Sequence, residues 1–230
     1  MRKLLIIIPA YNEEENIVRV VEELKEKVPQ YDYVVINDGS QDRTAAICQE
    51  HGYCLLNLPC NLGLSGAFQT GIRYACEHDY DAAIQIDGDG QHDPSYIPQM
   101  LEMMEQGNYD LVIGSRFVTQ KRPNSLRMVG NAIIEWAVRL TTGQRMSDPT
   151  SGMRLFSRPL IETIAGGMDY KPEPDTMAFF IRHGAKMKEM QVQMRERVAG
   201  ESYLSMGRAI GYMIQTCMNI FVIQWVKKKT

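Results

Sequence analysis

The first half of the chain alternates short aliphatic runs with stretches in which apolar residues recur at helical spacing. Residues 4–8 form a continuous aliphatic run, a pattern typical of a strand that is covered on both faces. Apolar residues then recur every three or four positions between residues 17 and 28, as they do along the buried stripe of a helix. Further strands are predicted at residues 33–36, 54–58, 82–86 and 110–114. This alternation predicts a mostly parallel, doubly wound α/β sheet.

Three short motifs predict where helices begin. Asn12 followed by Glu15 resembles a capping box. Asp42 is a candidate cap for the helix that follows the second strand. Asp93 followed by Pro94 has the residue types of an N-cap and a first helical position.

The second half of the chain is less regular. Its patterns predict helices at residues 127–142 and 175–183, a strand at residues 153–156, and a strand in which Met190, Val192 and Met194 alternate. No internal repeat and no linker interrupts the sequence. We therefore predict one α/β domain at residues 1–205 and a separate C-terminal helical segment at residues 206–230.

Residues 84–94 carry the most informative chemistry of the chain. A short apolar run ends in two carboxylates one residue apart, so that Asp87, Asp89 and Gln91 follow where a strand gives way to a loop. Hard cations take oxygen ligands, and Mg²⁺ at phosphate sites typically uses one or two carboxylates together with the substrate phosphates. The pattern therefore indicates a metal–diphosphate site.

The same run could also be a simple turn or a calcium-binding loop. An Asp-Gly-Asp-Gly run is a common turn, because both residue types tolerate unusual backbone angles. An EF-hand loop counted from Asp87 would need glycine and glutamate where the chain has His92 and Pro98. However, Asp38 and Arg116 also follow predicted strands, and ligands of doubly wound sheets bind at the carboxyl ends of strands. This convergence favours a binding site over a turn.

Composition narrows the class of protein further. Of the 230 residues, 44% are hydrophobic and 23% are charged, which is ordinary for a globular domain. The net charge of −3 gives no support for nucleic-acid binding. The five cysteines include no Cys-x-x-Cys pair, and the first apolar run is too short for a secretion signal. Reduced thiols in a cytosol are therefore expected.

Six segments occur in an order that resembles one enzyme family: residues 8–16, 36–42, 61–63, 87–94, 114–117 and 148–154. Together they resemble a family 2 glycosyltransferase with the GT-A fold, in which a Rossmann-like, mostly parallel sheet is flanked by helices. Segments 87–94, 114–117 and 148–154 are similar, more narrowly, to the branch that contains dolichol-phosphate mannose synthases and bacterial polyprenyl-phosphate glycosyltransferases. The resemblance extends over about residues 4–205.

The resemblance implies a role for each polar residue of these segments. The donor nucleotide would be bound by Pro9, Tyr11, Glu13, Asn37, Asp38 and Asp87. A Mg²⁺ or Mn²⁺ ion that neutralises the diphosphate leaving group would be held by Asp87, Asp89 and Gln91. The catalytic set would be Asp89, Asp148, Arg116 and Arg127, with both arginines on phosphate. The acceptor loop would contain Arg195, Arg197 and Ser202, and either arginine could be the one that corresponds to the family's residue.

Some of these residues could instead have a purely structural role. Tyr11 could be a core residue, Glu13 a charge that favours a helix N-terminus, and Arg127 a solvated helix residue. Asn37 stands where the family commonly has an aspartate, which would alter the contacts to the ribose. Asp148 could be a general base for a hydroxyl acceptor or a carboxylate that orders a loop.

The expected activity is inverting transfer of a sugar from a nucleotide-sugar to polyprenyl phosphate at the cytoplasmic face of the membrane, for cell-surface glycan assembly. A UDP-sugar is slightly preferred over GDP-mannose. A lipid phosphate is already ionised at neutral pH, whereas a saccharide hydroxyl, the alternative acceptor, would need a base. Two other classes stay open, a sugar-nucleotide nucleotidyltransferase and a non-catalytic nucleotide-sugar-binding subunit. The first usually has a Gly-rich, Arg-bearing loop where this chain has Pro-Ala-Tyr-Asn at residues 9–12.

The C-terminal segment raises the question of a membrane. Residues 209–226 contain no charged side chain, and three lysines follow at residues 227–229. This length is at the lower limit for a membrane span, and polar residues such as Gln215 and Asn219 make it a poor one. We expect an amphipathic helix at the membrane surface, with the lysines meeting anionic lipid. The alternative is a helix packed on the core, on a second copy or on a small membrane-protein partner.

Overall fold

The computed structural model of the chain describes residues 2–123, 126–167, 170–195 and 206–223. Strands within these residues form a single sheet. They are β1 (Leu4–Ala10), β2 (Asp32–Asn37), β3 (Leu55–Asn57), β4 (Ala82–Gln85), β5 (Leu111–Ser115), β6 (Arg154–Ser157) and β7 (Met187–Gln191). Their order across the sheet is β3-β2-β1-β4-β6-β5-β7.

Helices connect the strands on both faces of this sheet. They are α1 (Ile17–Lys27), α2 (Thr44–Glu50), α3 (Gly63–Glu77), α4 (Ile97–Gly107), α5 (Leu126–Thr142), α6 (Arg158–Gly166), α7 (Pro174–Arg182) and α8 (Met206–Met218). A 3-10 turn at Pro94–Tyr96 leads into α4, and a π-helical turn at Asn219–Ile223 continues α8.

The strand directions bring the carboxyl ends of several strands to one edge of the sheet. Strand β1 pairs in parallel with β2 and β4, β2 pairs in parallel with β3, and β5 pairs in parallel with β7. Only β6, among the strands described, runs antiparallel to its neighbours β4 and β5. The predicted α/β class with a mostly parallel sheet is confirmed, and the carboxyl ends of β1, β2, β4 and β5 share one edge.

The core forms two layers, one on each face of the sheet. Leu5 and Ile7 of β1 are buried on the face that is covered by α3, α5, α6 and α7. Leu4, Ile6 and Ile8 are buried on the face that is covered by α1, α2 and α4. The alternation of side chains along a strand explains why β1 is a continuous aliphatic run, since every position is covered from one side or the other.

The capping box predicted at residue 12 is wrong. Helix α1 begins at Ile17, and Asn12 has a left-handed backbone with φ of 55°. The Asn12 side-chain oxygen accepts a hydrogen bond from the Gln41 backbone N–H at 2.8 Å, and the Asn12 N–H donates to Ser40 Oγ at 3.0 Å. Asn12 therefore joins two loops that are distant in sequence, because asparagine tolerates the left-handed region and bonds readily to nearby backbone.

The other two predicted helix starts, at Asp93 and Asp42, lie close to the observed ones. The Asp93 carboxylate accepts from the Ser95 N–H at 3.0 Å, which confirms the predicted cap before Pro94. Asp42 accepts from the Thr44 N–H at 2.9 Å and thus supports the start of α2 from just outside its first turn. The predicted strand at residues 190–194 is displaced, since β7 ends at Gln191 and only an isolated bridge joins Met194 to His92.

The C-terminal helix packs against the body of the protein. A Cβ placed on Gly130 of α5 would overlap Met213 Sδ of α8, so the two helices cross in close contact. Ile220, in the π-helical turn, is fully buried, and Asn219 Nδ2 donates to Asp175 Oδ2 at 3.1 Å. In the part of the chain that the structure describes, no helix combines the length and apolar character needed to cross a bilayer. The division at residue 205 stays a prediction.

Candidate active site

The two aspartates of the 84–94 segment lie just beyond the carboxyl end of β4. The Asp87 side chain is 35% exposed, whereas Asp89 is buried. The Asp87 N–H donates to His92 Nδ1 at 3.0 Å, and His92 Nε2 lies 3.8 Å from Asp87 Oδ2. Because the buried His92 contacts both the backbone and the carboxylate of Asp87, it holds this aspartate at the edge of the site.

The turn after Asp87 is held by Arg19 of α1. The Asp89 carbonyl accepts from Arg19 Nη2 at 3.0 Å, and Asp89 Oδ1 accepts from the Gln91 N–H at 3.0 Å. Gly90 between them has φ of 75°, and a Cβ there would overlap the guanidinium of Arg19. Glycine is therefore required both for the left-handed backbone and for the approach of the guanidinium.

Two further glycines bring separate segments against this motif. A Cβ on Gly88 would lie 2.9 Å from the carbonyl oxygen of Pro9, at the end of β1. A Cβ on Gly152 would lie 2.5 Å from Asp87 Oδ2. The segments around residues 9, 87 and 152 thus meet at the positions of these two glycines, and the Asp87 carboxylate lies against the backbone of residue 152.

The chemistry of the motif suits a hard divalent cation. Asp87 and Asp89 supply carboxylate oxygens, and the described residues contain no group of three or more histidine, cysteine or acidic side chains that could hold a metal ion by itself. A site with two protein carboxylates that is completed by substrate phosphates is the arrangement Mg²⁺ prefers. Gln91 Nε2 donates to the Arg195 carbonyl at 3.2 Å, so a ligand role for Gln91 would use its amide oxygen.

Asp38 lies at the end of β2 and joins it to the start of α3. Its N–H donates to the Ala10 carbonyl at 2.9 Å, and its buried carboxylate accepts from the Leu62 N–H at 2.7 Å. The next residue, Gly39, has φ of 66°, and a Cβ there would lie 2.6 Å from the Asn61 backbone nitrogen. The segment 37–40 is therefore packed tightly against the loop before α3, at the same edge as Asp87.

The amide of Asn37 is also committed to this loop. Its Nδ2 donates to Asn57 Oδ1 of β3 at 3.0 Å, and its Oδ1 accepts from the Ser40 N–H at 3.3 Å. An aspartate at residue 37 would lack the donor to Asn57. The Asn37 side chain therefore helps to hold β2 against β3.

The predicted base-pocket residues of the first loop lie beside the motif. Pro9, Tyr11 and Glu13 are all partly exposed. Glu13 Oε2 accepts from Asn16 Nδ2 at 2.8 Å, and the Glu13 N–H donates to Thr44 Oγ1 at 2.9 Å. These bonds fix the loop between β1 and α1 against the start of α2, and the predicted contacts of these residues with the nucleotide stay a prediction.

Arg116 and Asp148 form a bidentate ion pair at the carboxyl end of β5. Asp148 Oδ2 accepts from Arg116 Nε at 2.7 Å and from the Arg116 N–H at 3.1 Å, while Oδ1 accepts from Arg116 Nη2 at 2.8 Å. Asp148 is fully buried. The hydrogen bond to Asp148 raises the pKa of Arg116 above its usual value against the opposing effect of burial, and the charges of Asp148 and Asp87 raise it further.

Glu189 of β7, which is not among the residues predicted from the sequence, holds the backbone of the segment that contains Asp148. Glu189 accepts from the Asp148 N–H at 3.0 Å and from the Ser147 N–H at 2.8 Å. Thr150 Oγ1 lies 3.5 Å from Arg116 Nη2 and accepts from Asn131 of α5 at 3.1 Å. Nothing in the alternating pattern of β7 distinguishes Glu189 from an ordinary solvent-facing strand residue, so sequence reasoning could not find it.

Arg195 is held by two carboxylates on the other side of the motif. Its Nη1 lies 2.8 Å from Glu23 Oε2, and its Nη2 lies 2.9 Å from Asp93 Oδ2. Its N–H also donates to the Gln91 carbonyl at 2.9 Å. The hydrogen bond to Glu23 is the main reason that the pKa of Arg195 is raised. Arg197, Ser202 and the side chain of Arg127 lie outside the described residues, so their predicted roles are not addressed by the structure.

This open, mostly parallel sheet, with an acidic strand-end motif and a charged pair at one edge, is an α/β domain of the GT-A type. Residues 5–165 match the family model described as glycosyl transferase family 2. The chain therefore belongs to glycosyl transferase family 2, and the family predicted from the six segments is confirmed.

Relatives with assigned activities are similar to the chain over most of its length. The undecaprenyl-phosphate mannosyltransferase of Micrococcus luteus is 31% identical over 222 residues, which cover 89% of this chain and 88% of the relative. The polyprenol monophosphomannose synthase of Mycolicibacterium smegmatis is 28% identical over 217 residues, covering 89% of this chain and 82% of the relative. These similarities agree with the narrower branch that segments 87–94, 114–117 and 148–154 resemble.

A solved structure shares the fold. Glucosyl-3-phosphoglycerate synthase from Mycobacterium tuberculosis, crystallised with Mn²⁺, UDP-glucose and phosphoglyceric acid, superimposes with a TM-score of 0.69 at 17% identity. The match covers 95% of this chain and 79% of that chain. It confirms the GT-A fold.

Proposed function

We propose that the protein transfers a sugar from a nucleotide-sugar donor, with a UDP-sugar preferred, to a polyprenyl phosphate at the cytoplasmic face of the membrane. The product would serve cell-surface glycan assembly. The observation that carries this proposal is the meeting of Asp87, Asp38 and the Arg116–Asp148 pair at one sheet edge in a member of this family. The polyprenyl-phosphate sugar transferases named above, two of the relatives, support the lipid acceptor.

On the donor side, Asp87 and Asp89 would hold Mg²⁺ or Mn²⁺ against the diphosphate. The metal would supply charge neutralisation for the leaving group. Asp87 is held by His92 and Asp89 by the Arg19-bound turn, so both carboxylates are already oriented. Preorganised groups of this kind lose little freedom when the substrate binds.

On the acceptor side, the ion pair argues for an acceptor that needs no base. A base role for Asp148 would require its carboxylate to be freed from three hydrogen bonds donated by Arg116. A phosphate monoester is ionised at neutral pH and needs no such base, whereas a saccharide hydroxyl does. We therefore favour lipid phosphate over saccharide, and assign to Asp148 the positioning of Arg116.

The predicted acceptor segment contains two arginines, Arg195 and Arg197. The ion pairs of Arg195 favour Arg197 as the residue that binds the acceptor phosphate. Arg195 already neutralises Glu23 and Asp93, so phosphate binding would compete with both carboxylates. We propose that Arg195 anchors the base of the segment and that Arg197 contacts the acceptor phosphate. Arg197→Ala is expected to raise the KM for polyprenyl phosphate. Arg195→Ala is expected to raise this KM and, in addition, to lower thermal stability.

The direct test is a transfer assay with purified protein, polyprenyl phosphate and radiolabelled UDP-glucose, UDP-GlcNAc or GDP-mannose in parallel. The expected result is a labelled lipid that mild acid cleaves, dependent on Mg²⁺ or Mn²⁺. Asp89→Asn should abolish its formation. Asp79→Asn is the matched control, since the Asp79 side chain is 90% exposed and lies far from the site edge, before β4. Transfer to a saccharide supplied in place of the lipid, with no labelled lipid formed in the assay above, would contradict the proposal, as would lipid labelling unaffected by Asp89→Asn.

A further inference from the structure

Two helices on the outside of the molecule expose a row of large apolar side chains. We call this row the apolar face; its members are Val129, Ile133, Trp136, Leu140, Ile214, Met218 and Val222. Each of them is between 48% and 63% exposed. Scattered apolar residues on a surface are ordinary, but a contiguous patch of them marks an interaction site.

The geometry of the two helices makes the row continuous. Its members on α5 and on α8 with its π-helical turn recur every three or four residues, which is the spacing of one helical face. The helices cross where a Cβ on Gly130 would overlap Met213 Sδ. The ring centroids of Trp136 and Phe221 are 6.1 Å apart. The two stripes are therefore neighbours on one surface.

The exposed charge described on these two helices, that of Arg139, is positive, although the whole chain has a net charge of −3. The carboxylates that contact the helices, Glu135 and Asp175, are only partly exposed, and Asp175 accepts a hydrogen bond from Asn219. Among the exposed residues of α5, Arg139 is charged and no carboxylate is present, and residues 206–223 contain no acidic side chain. The partly buried Glu135 contacts Arg122 at 2.5 Å and Arg145 at 2.7 Å. Three lysines follow at residues 227–229 in the sequence. Such a face suits an anionic surface.

The apolar face also adjoins the candidate active site. Helix α5 follows the segment that leaves the carboxyl end of β5, and its Asn131 donates to Thr150 beside Arg116. Helix α8 follows the predicted acceptor segment in the sequence. A surface that binds at this face would therefore lie next to the side of the site that is assigned to the acceptor.

We propose that the apolar face docks the protein on the surface of an anionic lipid bilayer, with Trp136 at the centre of the contact. The proposal rests on the proposed function for the identity of the acceptor, but not for the binding itself. A second copy of the chain is the competing occupant. In a two-fold dimer the same patch meets itself, so the exposed Arg139 of each copy would add its positive charge to one shared contact region. A bilayer instead supplies phosphate groups for the cations and an apolar layer for the side chains.

The test is flotation of the full chain with vesicles of phosphatidylglycerol and phosphatidylcholine, compared with vesicles of phosphatidylcholine alone. The chain should float with the anionic vesicles, and Trp136→Gln combined with Leu140→Gln should lower the partition coefficient by about tenfold or more. The control is Leu64→Gln on α3, an exposed leucine (51%, against 63% for Leu140) outside the face, and this variant should bind vesicles like the parent. Melting temperatures of both variants establish that they are folded.

A spectroscopic readout locates the contact. The chain has two tryptophans, so Trp225→Phe leaves Trp136 alone. Its emission should shift to the blue on anionic vesicles and be quenched by brominated lipid. Equal flotation of the Trp136 and Leu140 double variant would overturn the proposal. Absence of vesicle binding by the parent chain would also overturn the proposal. This holds whether the chain sediments as a monomer or as a dimer that the double variant dissociates.

The outcome can be separated from that of the proposed function. Transfer to a short, water-soluble isoprenyl phosphate without vesicles should be unchanged in the double variant. If the parent chain transfers sugar to no polyprenyl phosphate but still floats, the proposed function fails and the docking surface stands.

Discussion

The assignment of Asp148 as a positioning residue makes a quantitative prediction for Asp148→Asn. The substitution preserves the shape of the side chain but removes its charge and turns an amide N–H₂ towards the guanidinium of Arg116. Asp148 is fully buried, and the Arg116 side chain is 26% exposed. Removing one partner of a buried ion pair costs about 3–5 kcal/mol. Since water reaches Arg116, we expect a loss at or below the lower limit of this range, about 2–3 kcal/mol in the free energy of unfolding.

The expected loss is measurable by thermal and urea unfolding. For a chain of this length, about 1 kcal/mol shifts the melting temperature by roughly 2–4 °C, so Asp148→Asn should melt about 5–10 °C below the parent. A double-mutant cycle with Arg116→Gln should give a coupling energy that accounts for most of this loss. The exposed Asp79 again provides the control, since Asp79→Asn should change stability by less than about 0.5 kcal/mol.

The kinetic part of the prediction distinguishes positioning from base catalysis. If Asp148 positions Arg116, Asp148→Asn should raise the KM for polyprenyl phosphate and leave the shape of the pH profile of kcat unchanged. If it acts as a base, kcat should fall by about 10²–10⁴-fold and the acidic limb of the profile should disappear. Parent-like stability combined with that loss of kcat would refute the positioning role.

Three further predictions concern single residues. Gly152→Ala places a Cβ 2.5 Å from Asp87 Oδ2 and should reduce kcat/KM about 10²-fold in the transfer assay, whereas Gly166→Ala, where a Cβ meets nothing within 4 Å, should not. Burial, followed by the charge of Asp175, raises the pKa of Glu173 above its ordinary value of 4.5. The ionised form is therefore penalised on folding, so Glu173→Gln should melt higher than the parent at pH 7, and the difference should vanish as the pH falls below about 4. Burial raises the pKa of the Cys48 thiol to about 11, so at pH 8 iodoacetamide should label the exposed cysteines and spare Cys48 until urea unfolds the chain, as read by peptide mass spectrometry.

The strands of this protein could be predicted because burial on two faces leaves a local signature. Residues 4–8 are aliphatic at every position since the sheet is covered on both sides. The placement of Asp38, Asp87 and Arg116 at strand ends followed from the same runs. The antiparallel direction of β6 could not be predicted, because it depends on pairing with β4 and β5 and not on the short run at residues 153–156.

The capping box at Asn12 failed for a related reason. Its two residue types satisfy a local rule, but the Asn12 side chain bonds to the Gln41 backbone, which is distant in sequence. The sequence likewise left two roles open for Asp148, a general base or a carboxylate that orders a loop. The two roles differ in whether an arginine side chain bonds to the carboxylate. In both cases the difference lies in tertiary partners, which leave no local pattern in the sequence.

The contacts between α5 and the site would determine how the site is oriented towards an acceptor in the membrane. The Arg122 guanidinium bonds to the Ser147 carbonyl and to Glu135 of α5, and Asn131 joins the same helix to Thr150. The proposed docking helix and the Arg116–Asp148 pair are therefore parts of one hydrogen-bonded unit. A chain attached through a flexible tail alone would have to find its orientation at each encounter, at a cost in rotational freedom. Docking through α5 as well as α8 would fix the site edge relative to the bilayer before any acceptor binds.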